Sequence, residues 1–412
     1  MSAFPSDTPD QTARYAEKRE RILDVATDLI NERGVKGMTF VDVAQRVDLN
    51  TTSITYYFKR KELLAEAAFE RSLDRIEARV EEACRKHDPQ ARVAAYVDAE
   101  LADWARVRRK EARPMARLSD LRAMDEPIRT RLGARYLEVQ RRAAESFFGA
   151  AETAQARALR AARMHVLAEN VYWMPAWLGS YSVADFDRVG RRLVEILSRG
   201  VAGDGAPWRP LLLAIEEPRC SDADAGRETF IRAASRLINE RGYKGASVER
   251  IASDLNVTKG SFYHHLDAKD DLVLECFERS YARVSLVQRT AIERGGADYW
   301  TKLSAAIATL LDVQFRSDFP LLRTAALQAL PTDVRHAVVE RSNRIARRFA
   351  GMLIDGVSEG SIRAIDPLIA SQTIMASING AYDLRKWAAQ LEPARAIEIY
   401  ASTIAYGLFA DV

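Results

Sequence analysis

Met38-Thr39-Phe40-Val41-Asp42-Val43-Ala44-Gln45-Arg46-Val47-Asp48-Leu49-Asn50-Thr51-Thr52-Ser53-Ile54-Thr55-Tyr56-Tyr57-Phe58-Lys59-Arg60-Lys61 and Ala246-Ser247-Val248-Glu249-Arg250-Ile251-Ala252-Ser253-Asp254-Leu255-Asn256-Val257-Thr258-Lys259-Gly260-Ser261-Phe262-Tyr263-His264-His265-Leu266-Asp267-Ala268-Lys269 are two versions of one device. Each opens on a hydroxyl residue, Thr39 or Ser247, able to accept a bond from a first-turn backbone N–H. Asp42, three residues after Thr39, makes a variant capping box there. A short amphipathic helix follows, with Val43, Ala44 and Val47 facing inward in the first version. Then come a tight turn, a second helix capped by Asn50 or Thr51 (Thr258 in the other version), and a lysine three residues past its end. That order is a helix-turn-helix, whose second helix enters the major groove of DNA.

Outward from these stretches the chain repeats itself. Asn31-Glu32-Arg33-Gly34-Val35-Lys36-Gly37 returns 208 residues later as Asn239-Glu240-Arg241-Gly242-Tyr243-Lys244-Gly245. The same offset carries Ala44 onto Ala252, Ser53 onto Ser261, Leu64 onto Leu272 and Phe69-Glu70-Arg71-Ser72 onto Phe277-Glu278-Arg279-Ser280, without a gap. The chain is a tandem duplication. Before each head pattern, Ile22, Val25, Ala26, Leu29 and Ile30, or Phe230, Ala233, Ala234, Leu237 and Ile238, mark one buried face of a preceding helix. Gly34 and Gly242 end these helices.

At 412 residues there is room for two or more domains with cores of their own. No apolar run approaches the ~20 residues that span a bilayer, and residues 1–10 lack the apolar stretch of a secretory signal. A cytoplasmic protein without a membrane partner is expected. Cys84, Cys220 and Cys276 are far apart and read as reduced thiols, so neither a metal nor a disulfide framework is expected. No nucleophile–base set, phosphate-binding glycine loop or metal-ligand spacing stands out, so neither an enzyme nor a cofactor is expected. The net charge of +3 becomes informative once located: residues 14–61 and 227–269 each carry +3, and the remainder is net acidic. Basic charge therefore collects on the two heads, where a phosphate-facing surface needs it.

Fold class and division follow. The expectation is all-α: a disordered lead (1–13), a first helix-turn-helix DNA-binding domain (14–61), a helical body (62–200), a linker (201–226), a second helix-turn-helix domain (227–269) and a second body (270–412). Leu211-Leu212-Leu213-Ala214-Ile215 is too apolar for a free linker and is expected to pack on a domain surface.

These residues resemble the TetR family of bacterial transcriptional repressors, twice over. In the first copy the resemblance rests on Ala26, Leu29-Ile30, Gly34, Gly37, Thr39, Val43-Ala44, Leu49, Ser53, Tyr57-Phe58 and Lys61. In the second it rests on Val257-Thr258-Lys259-Gly260-Ser261-Phe262-Tyr263-His264-His265-Leu266, Lys269 and Leu272. The resemblance implies two units, each with a three-helix DNA-binding head and a body that binds a ligand and dimerises through its last two helices. It also implies that Gly260 permits close approach to the DNA backbone and that Tyr263 reaches phosphate. The first copy departs from this pattern, with Thr52 in place of Gly260 and Thr55 in place of Tyr263.

Within that framework the DNA-contacting candidates are Thr39, Thr51, Thr52, Ser53, Thr55, Tyr56, Tyr57 and Lys61 in the first head. In the second they are Ser247, Thr258, Lys259, Gly260, Ser261, Tyr263, His264 and Lys269. Thr51 and Lys259 are assigned to bases, and Tyr57, Tyr263, Lys61 and Lys269 to phosphates. Aromatic and polar groups at helical spacing are more often core than pocket. With that proviso, the ligand candidates are Trp104, Met115, Tyr136, His165, Asn170, Tyr172 and Trp173 in the first body. In the second they are Trp300, Phe315, Phe319, Arg323, Gln328, Asn379, Asp383 and Trp387. The expected partners are double-stranded operator DNA and a small, largely apolar inducer. The two copies are expected to pair within one chain as a pseudo-dimer. The alternative is a homodimer of the whole chain in which one head is silent and structural.

Overall fold

The computed structural model describes residues 9–215, 222–265, 269–323, 326–327, 330 and 332–411. Among them there is no β-strand; one isolated antiparallel bridge joins Ala202 and Ile362. No described helix is long and apolar enough to cross a membrane.

The first copy begins with α1 (Pro9–Gly37), α2 (Phe40–Val47), α3 (Thr51–Tyr57) and α4 (Lys61–Cys84). α1 starts at Pro9, inside the lead expected to be irregular. At Gly34 it turns sharply, with φ 70° and ψ 165°; Gly242 does the same in the second copy, at φ 70° and ψ 166°. A Cβ on Gly242 would meet nothing within 4 Å, so glycine is required there by the backbone angle alone. Thr39 caps α2 by accepting from the Asp42 N–H, and Asn50 caps α3 by accepting from the Ser53 N–H at 2.7 Å. Ile22, Ala26 and Leu29 of α1, Val43 of α2, Ile54 of α3 and Leu64, Ala68 and Phe69 of α4 form one buried cluster. Each of the larger of these side chains contributes about 1.5–3 kcal/mol, which holds the short α3 in place. The α1–α2 junction is also tied by charge. Arg46 forks onto Glu32 at 3.0 and 2.6 Å. In the second copy Arg236 pairs with Asp254, at the positions that answer Asp28 and Arg46, so the signs are exchanged.

The first body continues with α5 (Pro89–Arg108), α6 (Ile128–Phe148), α7 (Ala154–Leu178) and α8 (Phe186–Arg199). The second copy comprises α9 (Asp222–Gly245), α10 (Val248–Asp254), α11 (Lys259–His265), α12 (Lys269–Arg294), α13 (Tyr299–Arg316), α14 (Thr332–Glu359), α15 (Pro367–Gly380), α16 (Arg385–Ala388) and α17 (Pro393–Ala405). Compactness divides the chain elsewhere than the repeat does. One unit is Met1–Ala78 with Arg106–Glu138; the other is Arg79–Ala105 with Val139–Val412.

The second unit contains the last two helices of both bodies, and there they share a core. α7 and α8 pack on α15 and α17. Asn170 donates to Ser377 Oγ at 3.2 Å, and His165 Nε2 bonds to the Gly380 carbonyl at 2.8 Å. At the C-terminal ends of α8 and α17 the contact is reciprocal. The Val201 N–H donates to the Ile404 carbonyl (3.2 Å), and the Leu408 N–H donates to the Leu197 carbonyl (2.7 Å). Residues 197 and 201 map onto 404 and 408 by one offset of 207.

The linker lies against the second copy, but differently from expectation. Leu211 and Leu212 are exposed (55% and 48%). The segment is held by polar atoms and tryptophan instead. The Leu213 N–H donates to Thr309 Oγ1, the Trp300 indole N–H to the Pro207 carbonyl and the Tyr406 hydroxyl to the Ala206 carbonyl. Trp208 packs on Trp300 with ring centres 6.0 Å apart. An extended segment buries alternate positions, so apolarity alone did not reveal which of these residues would turn inward.

Candidate nucleic-acid interface and ligand body

Each head has a surface that its own core leaves free. Burying Ile54 and Phe58 turns Thr51, Thr52, Thr55 and Tyr56 to solvent, with Tyr56 74% exposed. Thr39 is exposed at the start of α2, whereas Ser53 and Lys61 are half-buried. Tyr57 is half-buried too: its ring lies 4.8 Å from Tyr15 and 5.2 Å from Tyr56. Of the two tyrosines, Tyr56 is the more accessible to phosphate.

In the second head Thr258, Lys259, Gly260 and Tyr263 are exposed, and Ser247 and Ser261 are half-buried. Ser247 caps α10 by accepting from the Arg250 N–H, and Thr258 accepts from the Ser261 N–H. A Cβ on Gly260 would meet only Thr258 Oγ1, at 3.7 Å. Among the described residues of the head nothing demands glycine there, which fits a residue kept small for an outside partner. The side chains of His264 and Lys269 lie outside the described residues.

One group that the helical pattern does not reveal is Glu249, on the first turn of α10. It is ion-paired with Lys259. The bond to Lys259 holds the Glu249 carboxyl down at about 2, and Glu249 in turn raises the Lys259 ammonium above its ordinary value. The signal for this pair was present in the repeat, because the answering positions of the first head are the uncharged Val41 and Thr51.

A second feature recurs in both copies. Asn31 of α1 donates to the Met115 carbonyl and accepts from the Arg117 N–H, while Ser72 of α4 accepts from the Ala116 N–H. In the second copy Asn239 donates to the Leu321 carbonyl and accepts from the Arg323 N–H, and Ser280 accepts from the Leu322 N–H. These latches tie the first helix of each head to a loop of its body. The Asn239 amide is buried, and both its oxygen and its nitrogen are used, as burial requires. The repeated Asn-Glu-Arg-Gly was visible in the sequence, but its bonding partners, more than eighty residues away, were not.

The ligand candidates separate into groups. Met115 and Tyr136 belong to the first compact unit, where Met115 serves the latch through its carbonyl and Tyr136 packs on the head cluster. Trp104 is half-buried in α5 of the other unit, and Trp173 is buried and Tyr172 half-buried in α7. Trp300 is occupied in anchoring the linker, and Phe319 is covered by the guanidinium groups of Arg232 and Arg283. The rest of the second set does converge. Phe315, Trp387 and Tyr400 have ring centres 5.6–6.5 Å apart. His165 lies 6.3 Å from Tyr400, and the backbone carbonyls of Ile378 and Asn379 accept from Gln314. The Trp387 indole N–H is buried without a hydrogen-bond partner among the described residues. Beside this cluster the buried Arg323 bonds to Asp383 at 2.6 Å and lies 3.7 Å from Glu169. Gln328 lies outside the described residues.

Comparisons with known proteins agree with this layout. The family described as bacterial regulatory proteins, tetR family, matches residues 22–68 and again 230–276. The tetracyclin repressor-like C-terminal domain matches residues 296–387. The chain is similar to an uncharacterised HTH-type transcriptional regulator in the dhlA 5′ region of Xanthobacter autotrophicus, at 37% identity over 67 residues. That match covers 16% of this chain and 33% of the relative, so the chain spans about a third of that protein's length. It is also 26% identical over 161 residues to the HTH-type transcriptional repressor DhaR of Mycobacterium sp. (strain GP1), covering 38% of this chain and 79% of DhaR. A solved structure of AibR with isovaleryl coenzyme A and operator DNA aligns with 43% of this chain and 97% of its own, at 20% identity and a TM-score of 0.38. With two heads that match the tetR family of bacterial regulatory proteins and one matching C-terminal domain, the chain is a tandem of TetR-like units.

Proposed function

We propose that this chain is a cytoplasmic transcriptional repressor that meets one operator as a single-chain pseudo-dimer and is released by a small, largely apolar ligand. The observation that carries the pseudo-dimer is the reciprocal backbone pair, Val201 to Ile404 and Leu408 to Leu197, related by one offset. Contacts of i with j mirrored by j with i are the mark of a twofold interface, and here both sides belong to one chain. The linker of 201–226 keeps the partners at high effective concentration, which favours pairing within a chain over pairing between chains. Light scattering on dilute protein is expected to give the 46.2 kDa of one chain, and with operator the mass of one chain plus one duplex. A particle of twice that mass in dilute solution would support the homodimer reading instead.

We assign Thr51 and Lys259 to base edges, and Lys61, Lys269, Tyr57 and Tyr263 to phosphates. Since phosphate contacts act through counterion release, Lys61→Ala weakens binding to every sequence and lowers the salt slope by about one unit. Lys259→Ala costs ~1–3 kcal/mol and relaxes preference at one base position. Equal loss of specificity from both changes would contradict this division. Mutating each head in turn also tests whether either is silent.

Induction requires the ligand to bind the DNA-free arrangement better than the DNA-bound one. The cluster of Phe315, Trp387 and Tyr400, with an unpartnered indole N–H and the charged Arg323–Asp383 pair beside it, supports a mainly apolar ligand with a polar end. The latch through Asn239 connects this body to the second head. Linkage demands that operator DNA lower ligand affinity by the same factor as the ligand lowers operator affinity. Calorimetry in both orders measures the two factors; tight ligand binding with unchanged operator affinity would exclude the coupling.

A further inference from the structure

The two heads differ in charge at two equated positions on the exposed side of the recognition helix and of the helix beside it. Val41 on the first turn of α2 answers Glu249 on the first turn of α10, and Thr51 at the start of α3 answers Lys259 at the start of α11. In the first head both side chains are exposed and uncharged, Val41 65% so. In the second head they are a carboxylate and an ammonium in direct contact, with side chains 61% and 52% exposed. Neither pair supports the fold. The cores beneath them are Val43 and Ile54 in one copy and Ile251 and Ala252 in the other. A difference confined to the start of a recognition helix and the helix packed beside it bears on what that helix meets.

The chemistry of the pairs is specific. A carboxylate only accepts hydrogen bonds and an ammonium only donates them. In the major groove a guanine–cytosine pair presents the guanine acceptors O6 and N7 beside the cytosine N4 donor. A donor and an acceptor held side by side therefore match both bases of that pair. The lysine also neutralises the phosphate repulsion that a lone carboxylate would meet. Valine and threonine methyl groups instead match the C5-methyl of thymine. Glu249 remains ionised, hence acceptor-only, at any pH suited to DNA binding, because Lys259 holds its carboxyl down at about 2.

We propose that Glu249 and Lys259 together select a guanine–cytosine pair in the second half-site, while Val41 and Thr51 select thymine at the matching position of the first. This rests on the operator-binding reading above and adds Glu249 and Val41 as specificity-determining residues.

Selection of the full chain on randomised duplex DNA, read by sequencing, tests it. The wild-type chain is expected to enrich an asymmetric site with guanine–cytosine at one position and thymine at its counterpart. Glu249→Val with Lys259→Thr, which gives the second head the first head's residues, is expected to change that guanine–cytosine to thymine and leave the other positions as they were. Glu249→Gln is expected to reduce discrimination at the cytosine by roughly tenfold. All these positions are exposed, so helix content by circular dichroism should match wild type. A selected site that the double substitution leaves unchanged overturns the proposal while leaving operator binding intact. So does a Glu249→Gln chain that binds all sequences more tightly with the same base preference, since Glu249 would then only restrain Lys259. If the wild-type chain enriches no sequence at all, the operator reading falls and the proposal with it.

Discussion

Gly407→Ala is expected to cost roughly 3–5 kcal/mol, from ~1–2 kcal/mol for a left-handed alanine and the rest from broken, buried backbone bonds. Gly407 sits at φ 89°, and a Cβ there would lie 2.3 Å from the Ser198 carbonyl oxygen and 2.6 Å from the Arg199 nitrogen. Gly200 makes the converse contact, at φ 67°, with a Cβ falling 2.2 Å from the Ala405 carbonyl oxygen. These obstacles are backbone, so no side chain can swing aside, and the reciprocal bonds around Val201 and Leu408 must open. Gly205→Ala is the control. Gly205 also has positive φ, 72°, but its Cβ would meet nothing within 4 Å, so only the ~1–2 kcal/mol conformational cost applies. Urea unfolding followed by tryptophan fluorescence measures both variants against wild type. Trp104, Trp173, Trp177, Trp208, Trp300 and Trp387 all lie in the compact unit that contains this contact. Equal losses at Gly205 and Gly407 would show that the two bodies do not meet as described.

The second large effect concerns the buried guanidinium of Arg323. Burial works against its charge, but Asp383 and Glu169 more than offset this and hold its pKa above the ordinary value. Glu169 comes from α7 of the first copy and can lie so close because Gly380 has no side chain; a Cβ there would fall 2.3 Å from Glu169 Cγ. Glu169→Gln with Asp383→Asn leaves a buried cation without a counter-charge and is expected to cost ~3–5 kcal/mol. Adding Arg323→Met removes the stranded charge and should restore at least half of that loss, because an apolar residue of similar length suits the site. The same fluorescence-detected unfolding measures both chains. A triple variant as unstable as the double would mean that the carboxylates support the fold in some way other than balancing Arg323.

Much of this protein was determined by its sequence alone, and the reasons are local. A helix is closed by bonds between residues four apart and by caps within one turn. Thr39, Asn50, Ser247 and Thr258 therefore announced the starts of their helices, and Gly34 and Gly242 the breaks. The 208-residue repeat and the exposed faces of α3 and α11 followed from the same short-range patterns, and with them the two helix-turn-helix heads. Tertiary structure alone decided which buried face meets which. Helical periodicity records that one side of α7 and α15 is apolar, but it carries no information about the partner. The joining of the two bodies depends on glycines and carbonyls some 200 residues apart, and the Glu169–Arg323 contact links the copies across 154 residues of chain. Trp300 looked like a pocket residue and bonds to the linker, while Glu249, which helical periodicity does not single out, holds Lys259. Identical residue types serve core, clasp or ligand site, and only the side chains brought opposite them in space settle which.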